Sequence, residues 1–139
     1  MNTVESKKKL IQKRQQAESG SNYILIVDDE QDILDLFEDC LQMHGWKVRS
    51  FLDPREALSE IEKNRHPYSL IITDIRMPRM SGFEFVREAR KIASEIKVIF
   101  MTAFEIENGQ IKEIETTELL KKPIGLPNLI TMVNKVLEE

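Results

Sequence analysis

Short apolar runs recur along the chain, and polar residues follow each of them directly. Runs without alternating polar residues are typical of strands that are covered on both faces, as in a parallel sheet. A more polar segment, Trp46 to Phe51, is interpreted as one further strand. The other predicted strands cover Tyr23 to Val27, Leu70 to Ile72, Lys97 to Met101 and Leu119 to Lys121.

Between the strands, apolar residues recur at helical spacing, which predicts amphipathic helices. Asp53 and Pro54 are typical of a helix N-cap followed by proline at the first helical position, and Gly45 is typical of a helix end. Residues 104–117 have only a short apolar face, so we expect a short or frayed fourth helix there. The other helices are predicted to begin at Asp32, at Pro54, at Phe83 and at Leu126. This alternation of strands and helices predicts a doubly wound parallel α/β sheet with right-handed crossovers.

Charge divides the chain into a polar, basic N-terminal extension, residues 1–21, and one domain, residues 22–139. The extension carries five Lys or Arg residues against two Glu residues and ends in Ser19-Gly20-Ser21. The whole chain has a net charge of −4, so the domain itself is acidic. An acidic surface does not suit nucleic-acid phosphates, and we expect no direct nucleic-acid binding.

The composition is that of a soluble globular protein, with 41% hydrophobic and 32% charged residues. No apolar run approaches the roughly 18 residues that a membrane span needs. The N-terminus lacks the apolar region of a secretory signal. A lone Cys40 cannot form an internal disulfide, which agrees with a reducing compartment. We therefore expect a cytoplasmic protein that contacts no membrane.

The loop after the third strand presents a carboxylate. Asp74 stands at the carboxyl end of this strand, where open α/β sheets bind their ligands. Pro78 prevents regular helix in the loop, and Gly82 is expected to allow a turn with positive φ before the next helix. Parallel strands share one carboxyl edge, so side chains that follow the other strands are predicted to join Asp74 there. These are Asp28, Asp29, Thr102 and Lys122.

The polar residues at the strand ends form an ordered set of motifs. They are Asp28-Asp29, Asp74-x-x-Met77-Pro78-x-x-x-Gly82, Thr102-Ala103 and Lys122-Pro123. Each motif alone is weak, but their order and separations together resemble the receiver domain of two-component response regulators over residues 22–139. The resemblance implies a flavodoxin-like strand order of 2-1-3-4-5 and a cis peptide bond before Pro123.

The resemblance also implies a reaction. Asp74 would be the phospho-acceptor, a nucleophile that forms an acyl phosphate. Asp28 and Asp29 offer the hard oxygen ligands that Mg²⁺ prefers. In the family, the metal is bound directly by the counterparts of Asp29, Asp74 and the backbone carbonyl of Arg76, with Asp28 placed to hold a metal-bound water.

Four further positions are assigned roles in the reaction or in signalling. Lys122 is a compact ammonium suited to an oxyanion, and Thr102 offers a hydroxyl donor to a phosphoryl oxygen. Phe104 is bulky and is expected to crowd the path of the hydrolytic water, which lengthens the phosphorylated state. Leu119 stands where receivers commonly have Tyr or Phe, and a leucine offers little difference in contact energy between two states. We therefore expect the phosphoryl group to draw in Thr102 and so to order residues 104–117, which, rather than Leu119, form the partner-facing switch.

The favoured function is a stand-alone receiver, because the chain ends at Glu139 with no output domain. It would be phosphorylated by a histidine kinase or a phosphotransfer protein and would act through contacts with a downstream protein. Such a protein is a signalling phospho-acceptor, which promotes only its own Mg²⁺-dependent phosphorylation and dephosphorylation. One alternative is a phosphatase of the haloacid dehalogenase type, which needs a second Asp where Arg76 stands. Another is a receiver-like scaffold that is never phosphorylated, against which the intact acid pair, Thr102 and Lys122 argue.

Overall fold

A computed structural model describes residues 23–103 and 118–138, and within these ranges five strands form one parallel sheet in the order β2-β1-β3-β4-β5. The order agrees with the predicted doubly wound fold. The strands are β1 Tyr23–Val27, β2 Lys47–Phe51, β3 Tyr68–Asp74, β4 Lys97–Thr102 and β5 Glu118–Lys121. The helices are α1 Gln31–Met43, α2 Pro54–Lys63, α3 Gly82–Ile92 and α4 Leu126–Glu138.

Helices cover both faces of the sheet, which explains why its central strands are apolar without alternation. In β1, Ile26 packs with the face that α1 and α4 cover, whereas Leu25 packs with the face that α2 and α3 cover. Both residues are fully buried. Successive side chains of a strand point to opposite faces, so every position of such a strand meets a core. The carboxyl ends of the strands therefore emerge from a rigid, doubly packed scaffold.

Local sequence signals mark the helix ends as predicted. The Asp53 side chain accepts a hydrogen bond from the backbone N–H of Arg55, and Pro54 is the first residue of α2. Gly45, directly after the last turn of α1, has a φ of 94°, a conformation that favours glycine. Helix α1 begins at Gln31, one residue before the predicted start. Thus short-range capping chemistry decides where these helices begin and end.

The interpretation of Gly82 as a residue with positive φ is wrong. Among the described glycines only Gly45 has a positive φ, and in the loop after β3 it is Arg79 that adopts one, at 75°. Gly82 is instead the first residue of α3, and a Cβ there would collide with the backbone of Asp74 and Ile75. Glycine is needed at this position because the helix start lies directly against the end of β3.

Several predictions fall outside the described ranges. These concern the N-terminal extension, the short fourth helix over residues 104–117, and Phe104. Of the helices in residues 23–103 and 118–138, none combines the length and the apolar character needed to cross a bilayer.

Candidate functional site

The two loops that carry the central polar groups are both attached to the end of β4. The backbone N–H of Ile75, directly after β3, donates to the carbonyl of Met101 at 3.0 Å. The backbone N–H of Lys122, directly after β5, donates to the carbonyl of Thr102 at 2.8 Å. These bonds fix where the chain leaves β3 and β5, on either side of β4. The loop after β3 and the loop after β5 are thus both hydrogen-bonded to the end of β4.

Three carboxylates meet at this edge, as predicted from the strand ends. Asp28 is fully buried, Asp74 is 8% exposed, and Asp29 is exposed to solvent. One oxygen from each lies within 4.8 Å of the others. Asp74 is the last residue of β3 rather than the first of the loop, so sheet pairing holds its backbone. Three carboxylate oxygens at this spacing could hold a small cation, and Asp29 lies on the solvent side of the group.

Lys122 points into the same cluster. Its Nζ donates to Asp28 Oδ2 at 2.8 Å and to Asp74 Oδ2 at 3.1 Å, and it lies 4.0 Å from Glu30 Oε1. The peptide bond between Lys122 and Pro123 is cis, as the resemblance implied. Lys121, the neighbour that might be confused with it, is exposed at the end of β5. The structure therefore distinguishes the two lysines as the sequence predicted.

Burial and pairing act in opposite directions on the charges of this cluster. Burial raises the pKa of Asp28, although hydrogen bonds from Lys122 and from the backbone N–H of Glu30 partly offset this. Burial also disfavours the charged form of Lys122, but hydrogen bonds and charge attraction to Asp28 and Asp74 raise its pKa overall. Lys122 is therefore firmly cationic at neutral pH.

The residue chemistry fits a divalent cation of the Mg²⁺ type. Three carboxylates and one ammonium leave the cluster with two uncompensated negative charges when all are ionised. Like charges this close disfavour full ionisation, and a divalent cation would remove that cost. Carboxylate oxygens are also the donors that Mg²⁺ prefers. Arg76, whose carbonyl the resemblance adds to this set, is exposed in the loop after β3.

Two threonines lie at the same edge. Thr102, the last residue of β4, is 1% exposed, so its side chain is presented within the edge rather than to bulk water. The Thr73 hydroxyl donates to the backbone carbonyl of Asp74 at 2.9 Å, a contact that sequence reasoning did not predict. In the sequence, the only indication of this hydrogen bond is the presence of a polar residue directly before Asp74. Leu119, in β5, is half-buried against the core that α2 and α3 cover.

Sequence reasoning also missed an ion pair between two loops at this edge. Arg79 Nη1 donates to Asp53 Oδ2 at 3.0 Å, across 26 positions of sequence. The sequence predicts only a helix-capping role for Asp53. No local pattern identifies such a contact, since it depends on how the loops after β2 and β3 approach each other.

Residues 24–134 match the family described as the response regulator receiver domain. The chain belongs to this family. It is 30% identical over 117 residues to the response regulator SaeR of Staphylococcus aureus, an alignment that covers 83% of this chain and 50% of SaeR. This chain thus spans about half the length of the curated relatives it matches.

Solved receiver structures share the fold. The chemotaxis protein CheY4 of Vibrio cholerae is 30% identical with a TM-score of 0.74, covering 84% of this chain and 98% of CheY4. A response regulator receiver domain from Clostridium thermocellum is 29% identical with a TM-score of 0.75, covering 84% of this chain and 94% of that domain. The comparisons give no support to the haloacid dehalogenase alternative.

Proposed function

We propose that this receiver accepts a phosphoryl group on Asp74 from the phosphohistidine of a histidine kinase or phosphotransfer protein, and signals through protein contacts. The observation that carries the proposal is the shared cluster at the carboxyl edge. Asp74 lies there with a carboxylate oxygen 3.1 Å from Lys122 Nζ and within 4.8 Å of oxygens from Asp28 and Asp29. An acceptor for an anionic group needs such nearby cations and cation ligands.

In the proposed step, a carboxylate oxygen of Asp74 attacks phosphorus and forms a new O–P bond. The P–N bond to the donor histidine breaks, and its electron pair remains on the ring nitrogen. Lys122 lies within hydrogen-bond distance of the Asp74 carboxylate, so its ammonium is placed to attract the oxygens of the incoming group. Thr102, at the end of the neighbouring strand, would donate its hydroxyl to one of them.

Mg²⁺, when bound, would neutralise charge on both the acceptor and the phosphoryl oxygens. Asp29, Asp74 and the carbonyl of Arg76 would hold it directly, and Asp28 would hold one of its waters. Burial of Asp28 and its bond to Lys122 restrict this carboxylate to one orientation. Exposure of Asp29 leaves the metal an entry path from solvent.

We infer the remaining properties from composition and family. The partners are a phosphohistidine donor and a downstream protein, because the receiver family works in two-component signalling. A cytoplasmic location follows from the single cysteine and the lack of long apolar runs. Nucleic acid is not an expected direct partner of the acidic domain. Regulation of its own phosphorylation, rather than turnover of an external substrate, is the only chemistry we assign.

Intact-mass measurement after incubation with acetyl phosphate and Mg²⁺ tests the proposal. One labile phosphoryl group should be added to the wild-type chain and none to Asp74→Ala. Asp29→Ala or EDTA should abolish the label. Asp39→Ala, which removes an exposed carboxylate of α1 outside the cluster, should label like the wild type. Equal labelling without divalent metal, or sustained hydrolysis of p-nitrophenyl phosphate, would contradict the proposal.

A further inference from the structure

The loop between β3 and α3, residues 75–81, contains a strained turn, and we call this segment the acceptor loop. Arg79 has a φ of 75°, and the backbone N–H of Met80 donates to the carbonyl of Pro78 at 2.9 Å. A positive φ at the centre of a hydrogen-bonded three-residue turn is the rarer and more strained form of the γ-turn. A residue with a side chain keeps this conformation only where surrounding contacts hold it.

Contacts hold the acceptor loop at its ends and in its middle. At the ends, Ile75 N–H donates to the carbonyl of Met101, and Gly82 N–H donates to the carbonyl of Ile75 at 2.8 Å. In the middle, the guanidinium of Arg79 donates to Asp53, although the arginine side chain is 63% exposed. The strained residue is thus the same residue that reaches across to another loop.

Asp53 is a fixed partner for this contact. Its Oδ1 accepts from the backbone N–H of Arg55 at 2.9 Å, which caps α2, and the Arg55 guanidinium donates to both of its oxygens, at 3.2 and 2.9 Å. Hydrogen bonds from Arg55, together with that from Arg79, hold the pKa of Asp53 well below its usual range. The carboxylate is therefore charged and held to the start of a packed helix. Strand β2, which precedes Asp53, is separated from β3 by β1, and Asp28 and Asp29 directly follow β1.

We propose that the Arg79–Asp53 ion pair is a tether that sets the position of the acceptor loop, which makes Arg79 a positioning residue for metal binding. The inference depends on the proposed function, because the loop carries the Arg76 carbonyl assigned to the metal. Met77 and Met80 pack against the core that α2 and α3 cover, but the ion pair is what joins the strained residue itself to another loop. Without the tether, the turn at Arg79 relaxes. The Arg76 carbonyl then spends less time where the metal needs it, while the three carboxylates stay in place.

The direct test is metal affinity, measured without phosphorylation. Mn²⁺ accepts the same oxygen donors as Mg²⁺, and its free concentration is read by electron paramagnetic resonance during a titration. Arg79→Gln should bind Mn²⁺ about twofold to fivefold more weakly than the wild type, the range expected for loss of an exposed ion pair. The difference should shrink toward none in about 1 M salt, where exposed charges are screened.

Arg55→Gln is the matched control, because it removes the same charge from the same carboxylate but leaves the contact between loops. Its Mn²⁺ affinity should stay at the wild-type value. Asp53→Asn keeps a good N-cap residue and loses the charge, so it should weaken Mn²⁺ binding as Arg79→Gln does. The double variant should bind no more weakly than either single variant, since both remove one interaction.

The outcomes separate the tether from the proposed function. If the wild type binds no Mn²⁺ and takes no label from acetyl phosphate, the proposed function fails and the tether with it. If the wild type binds and labels normally but Arg79→Gln binds Mn²⁺ equally well, only the tether is refuted. Equal weakening in Arg55→Gln would also refute it, because the effect would then be one of general charge.

Discussion

Replacing Gly82 with alanine should test how closely the start of α3 supports the acceptor Asp74. The added Cβ would fall within 3.1 Å of three backbone atoms, namely the carbonyl carbon and oxygen of Asp74 and the Cα of Ile75. Backbone atoms at the end of a packed strand cannot rotate away, as the tip of a side chain could. The collision must therefore be relieved by moving α3 away from β3 or by shifting Asp74 itself.

The cost follows from the packing. Overpacking of a well-filled region costs about 1–3 kcal/mol, and contact with fixed backbone belongs at the upper end, about 3 kcal/mol. Alanine lowers the entropy of the unfolded chain, which returns up to about 1 kcal/mol. We expect Gly82→Ala to lower the free energy of unfolding by about 2 kcal/mol, or the Tm by about 8 °C for a domain of this size. Displacement of the acceptor should also slow labelling by acetyl phosphate about tenfold or more.

Urea unfolding followed by the fluorescence of Trp46, the one tryptophan of the chain, measures the first effect, and intact-mass kinetics measure the second. Gly45→Ala is the control. Gly45 has a positive φ, but an added Cβ there would meet no atom within 4 Å, so alanine should cost about 1 kcal/mol and leave the labelling rate unchanged. If Gly82→Ala unfolds at the wild-type urea concentration, or labels at the wild-type rate, then the contact of Gly82 with the end of β3 does not hold Asp74 in place.

Two further predictions concern the charge cluster and the lifetime of its product. Asp28→Asn should raise the free energy of unfolding of the metal-free protein by about 1–2 kcal/mol at pH 7, because it removes a buried charge from a crowded group, while labelling slows. Burial raises the pKa of Asp28 in the folded state above its ordinary value of 3.8. The wild type therefore loses stability as the pH rises from 3.8 through the raised pKa, whereas below pH 3.8 the carboxyl group is protonated in both the folded and the unfolded state. In urea titrations below pH 3.8, the free energy of unfolding of Asp28→Asn should therefore equal that of the wild type. At pH 7, Asp29→Asn, which changes an exposed carboxylate, should be stabilised less than Asp28→Asn. Phe104→Ala should shorten the phosphoryl half-life severalfold, followed by mass after acetyl phosphate is removed, and an unchanged half-life would contradict the crowding hypothesis.

Much of this molecule was predictable because its signals are local. Apolar runs such as Tyr23–Val27 mark doubly covered strands, and Asp53 with Pro54 marks a helix start. The gathering of Asp28, Asp74 and Lys122 followed from one general property, that parallel strands end at one edge. Even the distinction between Lys121 and Lys122 needed only the alternation of a strand and the proline that follows.

The rest depended on contacts between distant parts of the chain. The requirement for glycine at position 82 arises from the approach of α3 to the end of β3, whereas sequence reasoning could appeal only to the backbone freedom of glycine. The ion pair of Arg79 with Asp53 depends on the relative positions of two loops. Neither contact can be predicted from a local pattern of residues, because the packing of the flanking helices and strands determines the geometry of the loops.

The attachment of two loops to the end of β4 has a consequence for how this protein can vary. The carbonyls of Met101 and Thr102 hold the first residue after β3 and the first residue after β5. Both attachment points precede Ala103, and β5 pairs with β4 in register from Ile99 to Thr102. Backbone hydrogen bonds of β4 to Ile75, Lys122 and β5 therefore set the spacing between Asp74 and Lys122. Surface side chains that recognise a partner can therefore change during evolution while the spacing of Asp74 and Lys122, which depends on backbone hydrogen bonds, stays the same.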